Sequence, residues 1–277
     1  MKSIPGYMVI LILLTNLLSV AVKAQESSEY YNRTISGLFN RIIQSDSDKT
    51  RGELSDSLTI VIESYLNDNY PFDHNLDGGR YLGQIYAPDS LVKLISFNTA
   101  FLDGSNRYTT FIVKRSDQGR DYWLVNSEQG LDQASSESEI SSSEWYGALY
   151  YEIRSFVRGD STLYLIIGLD INGLLTNSKV IDILWFNSDN RPVFGSPLIN
   201  IRNRIYHRMI FKYSAQVSMM VRYDNVLDRV VFDHLSPSSP RFEGEYQYYG
   251  PDFSYDALEL KDGLWWFIED IDLRNRE

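Results

Sequence analysis

The sequence predicts an α+β protein, an N-terminal helical hairpin followed by a predominantly antiparallel β-domain. Three observations carry that expectation. Apolar residues recur at steps of three and four up to about residue 66, and the period changes to two after Pro71. From there tight polar turns arrive every 8 to 12 residues. A 3.6-residue period marks a helix with one buried stripe, and a two-residue period marks a half-buried strand.

Residues 1–24 read as an export signal. Met1-Lys2 is a short basic start, Val9 to Val20 is apolar apart from Thr15, Asn16 and Ser19, and Val22-Lys23-Ala24 places small residues at a cleavage site. The apolar core is shorter than the ~20 residues a membrane span needs, so cleavage after Ala24 is expected, with no stable membrane insertion afterwards. The mature chain is then expected to be periplasmic or extracellular. No cysteine is present, which excludes disulfides, thiolate chemistry and a lipid-anchored cysteine. Removing Lys2 and Lys23 takes the formal charge from −11 to −13. So acidic a chain repels phosphate backbones, and no nucleic-acid partner is expected.

The helical hairpin is expected over 25–72. Tyr31, Ile35, Leu38, Phe39, Ile42 and Ile43 form one stripe, and Leu54, Leu58, Val61, Ile62, Tyr65 and Leu66 form the second. The polar stretch Ser45 to Gly52 joins them, and Asn69-Tyr70-Pro71 ends the second helix at its proline. These stripes are expected to cover each other and part of a sheet.

The β-domain is expected over 73–277. Strand-like runs fall at Leu91–Phe97, Tyr108–Val113, Tyr122–Val125, Tyr150–Val157, Leu163–Ile167, Val180–Phe186, Asp228–Leu235, Ala257–Leu260 and Leu264–Ile268. Polar turns such as Asp103-Gly104-Ser105-Asn106 and Arg158-Gly159-Asp160-Ser161 separate them, a pattern that suits a meander closing as a barrel, a sandwich or a propeller-like sheet. The longest alternation, "MIFKYSAQVSMMVRY", sets Met209, Phe211, Tyr213, Ala215, Val217, Met219, Val221 and Tyr223 on one face. Arg208, Lys212, Ser214, Gln216, Ser218, Arg222 and Asp224 fall on a face expected to be wet, with a bend near Ser214 to Gln216. Residues 126–144, rich in Ser and Glu, read as a solvated loop or a linker.

There is no phosphate-binding glycine loop, no G-x-S-x-G turn and no H-E-x-x-H zinc helix. "DHNLDGGRYLGQ" places Asp73, Asn75 and Asp77 at positions 1, 3 and 5 of a calcium loop and Gly78 at position 6. Position 12 is Gln84 where a bidentate Glu belongs, so a polar turn is the preferred reading over calcium, and no cofactor is expected.

The densest polar and aromatic stretch is "VVFDHLSPSSPRFEGEYQYYGPDFSYDA", 230–257. Here His234 has Asp233, Asp252 and Asp256 as candidate partners for proton transfer, and Tyr248, Tyr249, Tyr255 and nearby Trp265 are candidate ligand-binding walls. The same residues also suit turns and buried packing, with Asp252 bonding backbone after Pro251. Leu264 to Ile268 is apolar on both faces, which fits a buried strand.

The motifs "KVIDILWF", "PVFGSP", "MIFKYSAQVSMMVRYD", "VVFDHLSP", "YYGPDFSYDA" and "EDIDLRN", in that order, resemble a family of exported Bacteroidetes proteins of unknown function. "YPFD" at 70–73 and "SLVKLISFNTAFLDGSNRYTTFIV" at 90–113 are similar to the same family. The resemblance implies a Gram-negative envelope setting and brings no activity, ligand or catalytic residue. The favoured functional expectation is a non-enzymatic periplasmic or surface module that binds a glycan, a peptide or an envelope partner. The alternative is a hydrolase using His234 with Asp233, Asp252 or Asp256.

Overall fold

The computed structural model describes residues 28–68, 72–116, 119–128, 130–131, 134–171 and 173–273. The export signal expected at 1–24 and the helix stop at Asn69 to Pro71 lie outside the described residues. Two compact units divide the chain, one ending at Tyr81 and one running from Leu82.

The first unit is a helical hairpin, α1 (28–44) and α2 (Asp48–Asn67). Ser47 caps α2 by accepting from Thr50 N, and Asp48 sits in the first turn, where a negative charge suits the helix dipole. Ile35, Phe39, Leu58 and Ile62 are buried, as the two apolar stripes require, whereas Ile43 lies at the stripe's margin and is exposed. Tyr31 meets Tyr65 edge to face across the hairpin at 5.6 Å. Residues 72–81 belong to this unit: Tyr65 Oη contacts His74 Nδ1 at 2.8 Å and donates to His74 O at 3.0 Å.

The second unit stacks three sheets. The first contains β1 (Gly83–Tyr86), β2 (Val92–Ala100), β3 (Asn106–Ser116) and β4 (Gly119–Ser127) as an antiparallel meander. The second contains β5 (Ile140–Ser141), β6 (Leu149–Arg158), β7 (Ser161–Asp170), β8 (Thr176–Phe186) and β9 (Pro192–Phe194). Two short strands, β10 (Ile199–Ile201) and β11 (Arg204–Tyr206), pass to the third sheet, and β12 (Arg208–Ser214) returns to pair with β8. The third sheet is completed by β13 (Val221–Asp224), β14 (Arg229–Pro237), β15 (Tyr249–Lys261) and β16 (Leu264–Ile268). Among the described residues every strand pairing is antiparallel except β10 with β16. No helix among the described residues is long and apolar enough to cross a membrane.

Alternation along the middle sheet builds two cores. Tyr164, Ile166, Val180 and Leu184 face Leu94, Tyr108, Ile112 and Val125 of the first sheet. Leu165, Ile167, Ile181 and Ile183 face Val230, Phe232, Leu258 and Trp265 of the third. A strand buried on both faces reads as a continuous apolar run, which is the look of "LYLII" in β7. Each such side chain contributes about 1.5–3 kcal/mol by leaving water, so the middle sheet draws stability from both neighbours.

Two expectations are corrected here. The long alternating strand is divided: β12 stops at Ser214, the chain turns, and β13 begins a strand of the third sheet at Val221. On the face of β12 expected to be wet, Lys212 stays partly exposed, whereas Arg208 is fully buried. Its partner explains why. Arg208 lies opposite Asp182 on β8, and its Nε donates to Asp182 Oδ2 at 2.9 Å. Nη1 and Nη2 donate to the carbonyls of Ser138 and Phe194 at 2.9 Å each, and Nη1 also reaches Ser135 O. Asp182 in turn accepts from Tyr146 Oη at 2.8 Å and Ile183 N at 2.7 Å. Burial pushes the Asp182 carboxyl up, against the opposing pull of Arg208, Tyr146 and Ile183. Gly195 crosses this guanidinium at φ 89°, where any Cβ would overlap Nη2 and stand 3.0 Å from Ser138 O. Within the Ser/Glu-rich segment 126–144, Ser135 and Ser138 supply carbonyls to Arg208, and Leu131 is buried in the first core.

Candidate functional site

The stretch 230–257 folds as β14, a lobe of two short 3-10 turns, and β15. Its register breaks once. Asp233 pairs with Tyr255, but Leu235 pairs with Pro251, so Asp252, Phe253 and Ser254 bulge out opposite His234 alone. Within the bulge Asp252 Oδ1 accepts from Ser254 N at 3.1 Å and from Ser254 Oγ at 2.7 Å. Phe253 takes φ 70° and is 92 % exposed, an unusual conformation and an unusual place for an aromatic residue.

The bulge brings His234 and Asp256 together. Nδ1 of the half-exposed His234 lies 2.8 Å from Oδ2 of the buried Asp256. Asp256 Oδ1 accepts from Asp270 N at 3.2 Å, so this carboxylate also pins the segment after β16. A carboxylate acceptor fixes the proton on Nδ1 and turns Nε2 outward. The hydrogen bond to Asp256 holds the imidazole above its ordinary range; burial opposes this, and the charges of Asp256, Asp252 and Asp270 add to it. Burial works against ionisation of Asp252, but the Ser254 bonds, the His234 charge and Ser236 keep its carboxyl below the usual carboxylate range.

Asp233 stands apart from that pair. Its Oδ2 accepts from Met220 N at 2.6 Å, and its own N–H donates to Met220 O at 3.0 Å. It ties β14 to the segment before β13, as expected of a residue one step from His234 on an alternating strand.

The tyrosines separate as well. Tyr248 and Tyr249 line a groove of about 310 Å³ between the turn after β12 and the β14–β15 hairpin. Gln216, Gln247, Ser236 and Ser238 share its wall, and no side chain lining it is charged. Tyr248 stacks on Phe242 at 4.1 Å between centroids, and Tyr249 Oη accepts from Gly244 N at 3.0 Å, so both rings are held. Tyr255 lines a different hollow of about 370 Å³, shared with Phe253, Asp270 and Asp272. Trp265 is corrected: at 2 % exposure it packs edge to face on Phe156 in the second core and cannot meet a ligand. Trp266 is the indole that reaches solvent. A run apolar on both faces carries no signal as to which of two adjacent tryptophans points out.

The calcium-like stretch is tied to the helical hairpin at Asp77. Asp77 Oδ1 accepts from Gly79 N at 3.2 Å, while Asp77 N and O bond to Asn32 and Ser36 of α1. Asp73, Asn75 and Asp77 are all exposed, and among the described residues no three His, Cys, Asp or Glu side chains gather to hold a metal ion.

Sequence reasoning missed Gln216 and Gln247, which become neighbours only through tertiary folding. Comparison with known proteins finds no matching family model, no matching curated protein and no matching solved structure.

Proposed function

We propose that the chain is a non-enzymatic binding module whose groove at Tyr248 and Tyr249 takes an uncharged, hydroxyl-rich ligand, a segment of neutral glycan. The observation that carries this is the composition of the groove wall: hydroxyls, primary amides and tyrosine rings, without one formal charge, in a chain of net charge −11. Amides and hydroxyls both donate and accept, which matches sugar hydroxyls, and tyrosine faces suit the apolar faces of sugar rings. With the export signal expected at 1–24 and the resemblance to exported Bacteroidetes proteins, the reading extends to an accessory role in a Gram-negative envelope, outside the cytoplasm. The acidic balance disfavours nucleic acid as a partner.

Calorimetric titration with neutral oligosaccharides, uronic-acid oligosaccharides and uncharged peptides tests it. Saturable binding of the neutral sugars, weakened at least about tenfold by Tyr248→Ala, is expected. Binding confined to peptides or to the charged sugars, or a titration indifferent to Tyr248→Ala, overturns it.

A second reading rests on the 2.8 Å contact of His234 with Asp256, which leaves Nε2 outward as a water-activating base of a hydrolase. Ser254 Oγ is committed to Asp252, so no serine nucleophile is supplied from the bulge. Turnover of an ester, glycoside or peptide substrate with a bell-shaped pH profile, lowered about 10²–10⁴-fold by His234→Ala, would support this reading over the first.

A further inference from the structure

The outer face of the third sheet carries a separate hollow. Ile199 and Trp265 are parallel partners pointing into the second core, so their neighbours Asn200 and Trp266, also paired, point the other way. Asn200, Trp266, Arg202, Asn203 and Glu269 line a depression of about 230 Å³. Arg202 and Asn203, at φ 50° and 66°, form the tight turn between β10 and β11, which brings Asn203 N within 3.0 Å of Asn200 Oδ1. Arg202 Nε donates to Glu269 Oε1 at 3.0 Å across the rim.

Asn200 is the informative residue. It is only 8 % exposed, its oxygen is satisfied by Asn203, and its Nδ2 donates to no protein group among the described residues. A nearly buried amide with an unused donor lining a depression can offer that donor to an acceptor from outside. Above it stands the exposed indole of Trp266, and on the rim an arginine and a glutamate present donors and acceptors side by side.

We infer that this depression binds one pyranose ring. The apolar face of the ring stacks on Trp266, one hydroxyl oxygen accepts from Asn200 Nδ2, and a vicinal hydroxyl pair spans Arg202 and Glu269. The volume falls below the roughly 300–1,000 Å³ of sites for drug-sized ligands, which limits the ligand to a single sugar residue or a chain end. This site is distinct from the groove at Tyr248 and goes beyond the reading given for it.

The test is ¹⁹F spectroscopy of the full chain labelled with 5-fluorotryptophan, which carries five tryptophans, with Trp266→Phe assigning the line in question. The probes are β-methyl glucoside and N-acetylglucosamine, with glycerol as the control. The Trp266 line is expected to move saturably with a Kd of about 1–10 mM, suited to so small a ligand. Asn200→Asp, which keeps the acceptor for Asn203 N and removes the donor, is expected to weaken the titration roughly tenfold with the Trp265 line unmoved. A Trp266 line that stays in place at ~50 mM of both sugars, or one that moves equally with glycerol, overturns the inference, and the unsubstituted chain alone is sufficient for that result.

Discussion

Asp182 with Arg208, and Asp256 with His234, are both carboxylate–base pairs on adjacent antiparallel strands, separated by 2.9 and 2.8 Å. Their surroundings differ. Both members of the first pair are wholly buried, and each finds further partners in tyrosine hydroxyl, backbone N–H or carbonyl. In the second pair only the carboxylate is buried; the imidazole is 45 % exposed, with one nitrogen left to solvent. Distance alone therefore says little about role. A saturated, buried pair locks strands, whereas a pair with a buried acid and a solvated base holds a titrating group in a fixed pose.

The contrast breaks most sharply at Arg208. Arg208→Leu leaves Asp182 buried and unpaired and three carbonyls without their donor, so a loss of about 3–5 kcal/mol and a Tm lower by roughly 10 °C are expected in thermal unfolding. Pairing that substitution with Asp182→Leu should recover much of the loss, since two apolar groups desolvate without penalty. Full recovery would mean that the carbonyls of Ser135, Ser138 and Phe194 find other donors.

The next effect is at Asp256. Asp256→Asn is expected to cost about 1–2 kcal/mol in urea unfolding and to lower the His234 pKa toward 6.5, read by proton NMR of the ring. The sign of the pH dependence follows from the raised imidazole. Its contribution is fully present below the unfolded value near 6.5 and is lost as pH climbs through the folded value. The urea midpoint should thus fall between about pH 6 and pH 8 in the unsubstituted chain, and fall less in Asp256→Asn. An equal fall in both would leave the pair without influence on His234.

Smaller effects belong to the bulge. Asp252→Ala removes the acceptor of two hydrogen bonds in an exposed bulge and is expected to cost about 1 kcal/mol or less. Phe253→Gly relieves a left-handed aromatic residue that is almost wholly exposed, so an unchanged urea midpoint or a gain of about 0.5–1 kcal/mol is expected. A clear loss would show that the ring is held by contacts made only in solution.

These two pairs also mark how far the sequence can be read. The helices were legible because Ile35, Phe39, Leu58 and Ile62 repeat at helical steps, and β16 begins and ends where the apolar run does. His234 and Asp256 lie in one stretch of the sequence, but only the register shift separates Asp256 from Asp233 and Asp252 as the histidine's partner. Arg208 was misread because alternation along one strand carries no information about the strand opposite. The one available sign was Asp182 itself, a charge set in the middle of "VIDILWF". Trp265 was misread for the complementary reason: where both faces are apolar, periodicity has no direction.

That lone charge has a consequence before the sheets have stacked. The central strands expose "LYLIIGL" and "VIDILWF", segments of high β-propensity that in an unfolded chain favour pairing with copies of themselves. In the first, no residue is charged. In the second, Asp182 is solvated and ionised until Arg208 arrives, and like charges placed in register oppose intermolecular pairing. One carboxylate thus guards the chain against aggregation while it is open and fastens it once closed, so replacing the pair with apolar groups should lower soluble yield even where native stability is largely recovered.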